Sequence, residues 1–419
     1  MRRSIRPTSS SGKYRARHDT PLREVPVGAC RDAPNKLLMV AAHSTALLLL
    51  SLMTWRLWRN LLFLHAARRN SDILPAPPLP HVSVLVPARN EAHQIVACIE
   101  SLAQQAYPNF EVMVLNDQST DATGALLEEL AAQYPNVRVI HSRENPPAGW
   151  NGKSYACARL AEHASGDWLL FTDADTCHTP TSIAQGIAQA AGLKVDLLSA
   201  FPDQQTETWS EQVVVSFILD FLPLIAVDLH DLWRGRSEVT VANGQYMLVQ
   251  AEAYRASGGH HAIFDQMVDD LALAKQVRLS GYKIAFVDGT ALVRCRMYHN
   301  ALEVWNGFSK NIMLGLETSS TKKRPVWWGG LFAWAYACIF VLPFYHLLFS
   351  DQKRVALLEI GWLGLLRGMV NRYLRRPVHE IPTTPLGAWS VMALGLSALY
   401  RRKFSQTVQW KGRDYDLSG

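Results

Sequence analysis

The feature that most constrains this chain is an apolar run near its amino end. Residues 37–58, LLMVAAHSTALLLLSLMTWRLW, carry no charge before Arg56. About 20 such residues can span the hydrocarbon core of a bilayer, so the run predicts a membrane helix. A secretory signal peptide is the competing interpretation, but the segment before the run is long and no small-residue cleavage site follows it. We therefore interpret the run as a retained anchor.

Charge and cysteine content narrow the possible partners. Residues 1–36 are polar, basic and interrupted by Pro, Ser and Gly, a composition typical of a disordered tail. The net charge of the 419-residue chain is only +6, which argues against nucleic acid as a partner and favours an anionic membrane surface for the local basic clusters. The 6 cysteines form no CxxC pair, so they predict small core residues in a reducing compartment.

Between residues 78 and 318 the pattern predicts one α/β domain. Short β-branched or apolar runs alternate there with helical stretches, which implies βαβ units and a mostly parallel sheet. A Pro-rich linker at 74–80 precedes the domain. The candidate strands are residues 82–86, 111–115, 137–140, 168–171, 196–200, 246–250 and 283–287.

The last quarter of the chain turns apolar again. Residues 326–349 predict a second membrane span, whereas 355–370 and 384–400 each fit a tilted span, a re-entrant piece or an interfacial helix. Basic clusters such as TKKRP at 321–325 mark the cytoplasmic side. We therefore predict a multi-pass protein of the cell membrane with a cytoplasmic catalytic domain. Its C-terminal membrane region would cover 325–400 and a basic tail 401–419, with the number of crossings left open.

Polar residues follow the first two predicted strands. The segment VPARNE places Pro87, Arg89 and Glu91 where a strand stops and a helix begins. Its plain interpretation is an ordinary turn with Glu91 near a helix N-terminus. Asp117 ends the second strand, and acids in that position contact ribose hydroxyls in nucleotide-binding folds. Taken alone, Asp117 fits a cap or turn residue better.

Two pairs of aspartates complete the pattern. Asp173 and Asp175 follow the buried run WLLF at the carboxyl end of a strand, where a divalent ion that bridges a diphosphate can be held. A D-x-D sequence is otherwise common as a helix cap. Asp269 and Asp270 precede a predicted helix at 271–280. They are therefore either acids favoured by the helix dipole or a source of a carboxylate base.

In order and spacing, these four elements resemble the family 2 glycosyltransferases with the GT-A fold, over residues 82 to about 318. The segments PPAGWNGKSYA, DADTCHTP and RMYHNALEVWNGFSKN resemble the membrane-anchored branch associated with carotenoid and hopanoid lipids. The resemblance implies an α/β nucleotide-sugar-binding fold with a mostly parallel sheet and transmembrane helices at both ends. It also implies Mg or Mn as cofactor, and a nucleotide sugar and a lipid acceptor as partners.

The resemblance further implies roles on the donor side of the site. Pro87, Arg89 and Glu91 would border the nucleotide base, with Asp117 nearby. Asp173 and Asp175 would contact the ribose and the Mg or Mn ion on the diphosphate.

On the acceptor side, the resemblance makes Asp270 the catalytic base. Asp269 would be turned toward the helix N-terminus or the domain surface, because adjacent residues at a helix start point about 100° apart. Processive members of the family carry a Q-x-x-R-W motif, but the corresponding stretch here is ALEVW, ending at Trp305. Single-sugar transfer is therefore favoured over polymer synthesis.

The segment GWNGKS nearly matches the sequence motif of a P-loop. Pro147 stands where that motif requires glycine, and no predicted strand runs directly into the segment, so we reject an ATPase. Lys153 is then either a cation that faces the nucleotide or diphosphate, or a solvent-exposed lysine.

Together these features predict an inverting glycosyltransferase that moves one sugar from a nucleotide sugar, UDP-linked, to a lipid-like acceptor such as a carotenoid or another isoprenoid. A polyprenyl-phosphate sugar synthase and a catalytically silent membrane scaffold of the same fold stay open as alternatives. The sugar, the acceptor and the oligomeric state do not follow from the sequence.

Overall fold

The structure is a computed structural model that describes residues 27–71, 76–320, 327–404, 407–410 and 413–416. Residues 1–26 of the predicted tail and the basic cluster at 321–325 lie outside the described residues. The first helix already begins at Val27, ten residues before the predicted anchor.

An eight-stranded sheet forms the centre of the α/β region. Its order is β3-β2-β1-β4-β7-β6-β8-β5. Only β7 and β5 run against the direction of their neighbours, so the predicted mostly parallel sheet is confirmed. The strands are β1 (Val82–Ala88), β2 (Phe110–Asn116), β3 (Val137–His141), β4 (Trp168–Phe171), β5 (Thr176–His178), β6 (Leu197–Gln204), β7 (Met247–Gln250) and β8 (Ile284–Cys295).

Two strands depart from the sequence prediction. β5 was not predicted, because Thr-Cys-His carries no apolar run; it is a strand because Thr176 pairs with Cys295 at the end of β8. β1 does not stop at Pro87, which pairs with Leu115 of β2. On its other side β1 pairs with β4 only as far as Leu85, so beyond that point it has one neighbouring strand and tolerates a residue without an N–H.

Helices cover both faces of the sheet, so its central strands are buried almost throughout. The helices of the α/β region are α2 (Ile95–Ala103), α3 (Thr123–Gln133), α4 (Gly152–His163), α5 (Ser182–Leu193), α6 (Leu222–Ala226), α7 (Leu229–Trp233), α8 (Ala251–Ala256), α9 (Asp269–Leu279) and α10 (Ala301–Ser319). A π-helix, Glu211–Phe221, leads into α6, and a 3-10 helix, Gly259–Ile263, precedes α9.

The remaining helices pack together beside this region. They are α1 (Val27–Arg69), α11 (Trp327–Phe340), α12 (Leu342–Phe349), α13 (Lys353–Tyr373) and α14 (Thr384–Phe404), with a 3-10 turn at Val378–Glu380. A hairpin of β9 (Thr407–Trp410) and β10 (Arg413–Asp416) follows α14 within the predicted tail.

In the described part of the chain, one helix is long and apolar enough to cross a membrane. It covers Leu37–Arg69, and only 22% of its most apolar stretch is buried against the protein, which is unlike a core helix. The predicted span at 326–349 contains two helices, α11 and α12, bent by 48°, which together are long and apolar enough for a broken span or a re-entrant loop. Pro343 lies in the first turn of α12 and has no N–H to continue the helical bonding, which accounts for the break.

Candidate active site

The first group of predicted site residues lies in the loops after β1 and β2. Arg89 Nη1 donates to the backbone oxygen of Asp117 over 2.6 Å. The backbone N–H of Glu91 donates to Thr123 Oγ1 over 2.8 Å. Because β1 and β2 are parallel neighbours, their carboxyl ends meet at one edge, and these bonds tie the two loops together there. Pro87, at the end of β1, lies beside them.

Asp173 and Asp175 lie in the turn between β4 and β5, as the sequence predicts. Thr176 Oγ1 donates to the backbone oxygen of Asp173 over 2.7 Å, which fixes the turn. Burial, and then the charges of Asp175 and Asp173, raise the pKa of the Cys295 thiol well above its ordinary value. Both carboxylates therefore lie close to the end of β8.

Lys153 points from the first turn of α4 toward the aspartates. Asn151 caps this helix by accepting from the backbone N–H of Lys153 over 2.9 Å. The ammonium Nζ lies 2.7 Å from Asp173 Oδ1 and 3.6 Å from Asp269 Oδ2. Burial alone would lower the pKa of Lys153, but the carboxylates of Asp173 and Asp269 raise it above its ordinary value. Lys153 is therefore a permanent cation inside the site and not a solvent-exposed lysine.

Asp270 is oriented by two backbone donors at the start of α9. The N–H of Gly244 donates to Oδ2 over 3.0 Å, and the N–H of Leu271 donates to Oδ1 over 2.7 Å. Burial, and then the charge of Asp269, raise the pKa of Asp270 to about 6. A carboxylate with a pKa near neutrality is well suited to take up a proton in a reaction.

Asp269 does not face the domain surface, so that part of the expectation is wrong, although its carboxylate does accept from its own backbone N–H at the start of α9. Its exposed fraction is 9%, and its carboxylate points to Lys153. The backbone donors of Gly244 and Leu271 hold Asp270 on one side, and the neighbouring side chain then points inward, about 100° around the helix. Burial raises the pKa of Asp269 as well.

The charges of the site are unbalanced. Three carboxylates, those of Asp173, Asp269 and Asp270, surround the ammonium of Lys153, and Asp175 adds a fourth negative charge nearby. Oxygen donors with excess negative charge are what Mg²⁺ and Mn²⁺ prefer. By donor chemistry and by charge, Asp173 and Asp175 fit a divalent ion.

Two other groups of side chains in the described residues have metal-ligating chemistry, each with ligand atoms within 4.8 Å of one another: Cys157, His260 and Asp269, and Asp228, His230 and Asp231. His260 is bonded to the Tyr254 hydroxyl at 2.9 Å, and burial lowers its pKa to about 3, so it is a neutral core residue. In the second group, Arg59 lies 2.8 Å from Asp228 and 3.0 Å from Asp231 and offsets one of their two negative charges.

Two residues near the site were not predicted from the sequence. A Cβ at Gly244 would lie 3.2 Å from Lys153 Nζ, so glycine lets this backbone approach the acid pair. Tyr298 packs against Gly307 and Phe308 of α10, with its ring centroid 5.3 Å from that of Phe308. Burial, and then the charge of Asp175, raise the pKa of Tyr298. Tyr298 could have been found from the sequence, because it lies in the RMYHN segment that carries the family resemblance. Gly244 could not, because the surrounding sequence ANGQ indicates only a turn.

Comparisons with known proteins agree with this geometry. Residues 83–241 match the protein-family model "Glycosyl transferase family 2". The 4,4'-diaponeurosporenoate glycosyltransferase of Staphylococcus aureus strain MRSA252 is 24% identical over 346 residues, which is 80% of this chain and 88% of that protein. The protein of the same name from strain NCTC 8325 is 24% identical over 350 residues, with the same coverage.

A solved structure has the same fold. It is the mannosyltransferase PcManGT from Pyrobaculum calidifontis, in complex with GDP-Man and Mn²⁺. Its TM-score is 0.51 at 19% identity, and the match covers 87% of this chain and 99% of that one.

The sheet order and this structural likeness define a GT-A-like α/β fold. More particularly, residues 83–241 are similar to family 2 glycosyltransferases, and the protein is a glycosyltransferase. The family resemblance drawn from the four acidic and polar motifs is thereby confirmed.

Proposed function

We propose that the protein is a membrane-attached, inverting glycosyltransferase that moves one sugar from a UDP-linked donor to a lipid-like acceptor such as a carotenoid or another isoprenoid. The observation that carries the proposal is the arrangement around Lys153, where the two acidic motifs meet at the carboxyl edge of the sheet. The relatives named for 4,4'-diaponeurosporenoate support the choice of acceptor class.

In this reaction Asp270 is the base. An acceptor hydroxyl attacks the anomeric carbon, its proton passes to the Asp270 carboxylate, and the bond from the sugar to the nucleoside diphosphate breaks. The two backbone donors to Asp270 support this role because they hold the carboxylate in one orientation. Its raised pKa supports it because a stronger base binds the proton more readily.

The donor is held by the other residues of the edge. Pro87, Arg89, Glu91 and Asp117 border the nucleotide base, and Asp173 contacts the ribose. Asp173 and Asp175 would hold Mg or Mn, which would supply positive charge opposite the diphosphate. Lys153 supplies a further positive charge beside it, and its contact with Asp173 supports that position.

An apolar connection from the site to the outer helices supports a lipid acceptor. Tyr298, close to Asp175, stacks on Phe308 of α10. Phe308 belongs to a cluster that includes Val213 of the π-helix and Leu394 of α14. A hydrophobic acceptor held along these helices has a short path to the acidic edge.

Exposed apolar side chains support the membrane attachment. On α1, Leu48 is 70% exposed, and on the C-terminal helices Phe349 is 73% and Leu396 65% exposed. Apolar surface of this extent is typical of lipid-facing helices and unusual for protein in water.

The transfer itself is tested by mass analysis of lipids from cells that express the full chain or its Asp270→Asn variant together with candidate isoprenoids. We expect one lipid to gain the mass of a single hexose with the wild type only. A sugar on a polyprenyl phosphate would identify the alternative synthase, and several added hexoses would exclude single transfer. If neither protein turned over the donor, the remaining alternative would be the catalytically silent scaffold.

Membrane attachment is tested by washing the membrane fraction with high salt and then with carbonate. We expect the full chain to stay in the pellet through both washes, because apolar transfer, unlike charge attraction, is not screened by salt. Release by salt alone would mean that α1 and the α11–α12 pair are not lipid-embedded.

A further inference from the structure

A basic cavity of about 550 Å³ lies at the edge of the sheet opposite the acidic motifs. It forms where the end of α5, the end of α7, the last turn of α9 and the start of β8 meet. β8 begins at Ile284 on this side, whereas the site lies at the carboxyl ends of the parallel strands. The acid pair and the cavity are at opposite ends of the 11-residue helix α9, about 14 Å apart at 1.5 Å per residue. The cavity is therefore not part of the donor site.

Its wall is dominated by cations. Lys194, Arg234, Arg236, Arg278 and Lys283 all line it. None of them forms an ion pair within 4.0 Å with a carboxylate in the described part of the chain. Asp196, whose Oδ2 accepts from the backbone N–H of Lys283 over 2.7 Å, offsets one of these five positive charges, and the local excess is still positive.

Arg278 is the inner member of this set. It is half-buried, and its guanidinium donates to the backbone oxygen of Ser237 and, over 3.3 Å, to Thr240 Oγ1. These neutral acceptors orient the guanidinium without neutralising it. Its two Nη atoms also donate to the backbone oxygens of Val239 and Gly235, so Arg278 contributes fixed positive charge to the wall and the exposed cations are the donors for phosphate oxygens.

The cavity lies beside the end of the predicted membrane anchor. Trp233, in its wall, stacks on Phe63 of α1 with ring centroids 5.8 Å apart. Trp58 of α1 is 56% exposed and has the position expected for a Trp at the membrane surface. Five residues of helix separate it from Phe63, about 7.5 Å along the axis. The cations of the cavity therefore lie at the depth of the lipid headgroups.

We propose that this cavity binds a phosphate-bearing anion, and that its source is the headgroup of an anionic phospholipid in the membrane that holds α1. Cations next to a membrane-inserted helix attract anionic headgroups, and a pocket among them adds specific contacts with the phosphate oxygens. The proposal goes beyond the transfer reaction and uses none of its residues. Its choice of a lipid source rests on the proposed membrane attachment.

The test uses the full chain in a neutral maltoside detergent. Binding of dioctanoyl-phosphatidylglycerol, dioctanoyl-phosphatidylcholine and inorganic phosphate is measured by thermophoresis. The variants are Arg234→Gln/Arg236→Gln and Lys194→Gln/Lys283→Gln, and each removes two exposed cations from the cavity. The matched control, Arg138→Gln/Arg255→Gln, removes two exposed cations elsewhere. UDP binding and the melting temperature report independently on the donor site and on folding.

We expect phosphatidylglycerol to bind and phosphatidylcholine not to. Each double variant should weaken that binding by about 30-fold, and the control should not change it. If inorganic phosphate binds as tightly as phosphatidylglycerol and is lost in the same variants, the anion site stands and its source is free phosphate. Equal binding of both lipids, or equal loss in the control, would overturn the proposal. Because UDP binding is read separately, failure here is distinguishable from failure of the proposed transfer.

Discussion

Two buried charge clusters in this protein are built on opposite plans. At the site, three carboxylates surround the ammonium of Lys153. Where the C-terminal helices meet the π-helix, Arg367 and Arg376 are paired with Glu380 over 3.1 and 2.6 Å, and Arg376 lies 3.5 Å from Asp220. Two guanidinium groups there face two carboxyl groups, and burial raises the pKa of Asp220 to about 7.

The difference separates a structural network from a functional one. A buried ion pair is costly to break, so a balanced network fixes how two parts of a protein are joined. Carboxylates in excess raise one another's pKa and favour a bound cation or a proton. The helix junction is therefore expected to govern stability, and the acidic edge to govern turnover.

The largest expected effect is that of Asp175→Ala at the acidic edge. We expect transfer to fall by about 1000-fold or more, because loss of a metal or diphosphate contact costs several kcal/mol of transition-state stabilisation. Initial rates with added Mn²⁺ measure the loss, and Mn²⁺-dependent protection by UDP should disappear with it. Asp265→Ala, which removes an exposed loop carboxylate, is the control. The metal assignment would be contradicted if Asp175→Ala turned over as fast as the unchanged protein. It would also be contradicted if a chelator did not slow the unchanged protein.

The next effect tests the junction. Glu380 has no exposed surface and contacts both arginines, so Glu380→Gln leaves their charge in excess. We expect the free energy of unfolding to fall by about 3–5 kcal/mol, with turnover per folded molecule unchanged. Denaturant unfolding in detergent measures it, with Glu303→Gln as the exposed control. The contrast between the clusters would be lost if Glu380→Gln kept its stability but stopped transfer.

Asp270→Asn should separate the role of a catalytic base from a role in donor binding. It nearly preserves volume but removes the proton acceptor, so we expect turnover to fall by roughly 100-fold or more with UDP binding nearly unchanged. The melting temperature at neutral pH should change little, because removal of a disfavoured buried charge offsets the loss of one of the two backbone hydrogen bonds. Asp269→Asn, beside Lys153, should be the milder change. If Asp269→Asn were the more damaging while both variants bound UDP, the base would be the neighbouring residue.

The sequence predicted the strand-end acids better than their surroundings. Asp173 and Asp175 were predictable because they follow a buried apolar strand, and Asp270 because it precedes an amphipathic helix and matches a family motif. Two contacts were not predictable: that of Asp269 with Lys153, and that of Asp270 with the N–H of Gly244. They join residues that are 116 and 26 positions apart in the sequence. The break between α11 and α12 was missed because hydropathy alone does not report helix geometry.

The smallest expected effect concerns pH and the coupling within the acid pair. Burial and the charge of Asp269 raise the pKa of Asp270 to about 6, and the base works only when ionised. At saturating Mn²⁺, kcat/KM should therefore be constant above this value and fall about tenfold per pH unit below it.

Asp269→Asn tests the cause of that shift. It removes the charge that raises the pKa of Asp270, so the acidic limb should move to lower pH while its slope stays the same. Asp265→Asn, on an exposed loop, should leave the limb in place, and melting curves across the same pH range separate titration from unfolding. A limb that stays where it is, or moves to higher pH, in Asp269→Asn would show that the two carboxylates are not coupled in the working enzyme. The excess negative charge at the acidic edge would then not determine the pKa of Asp270.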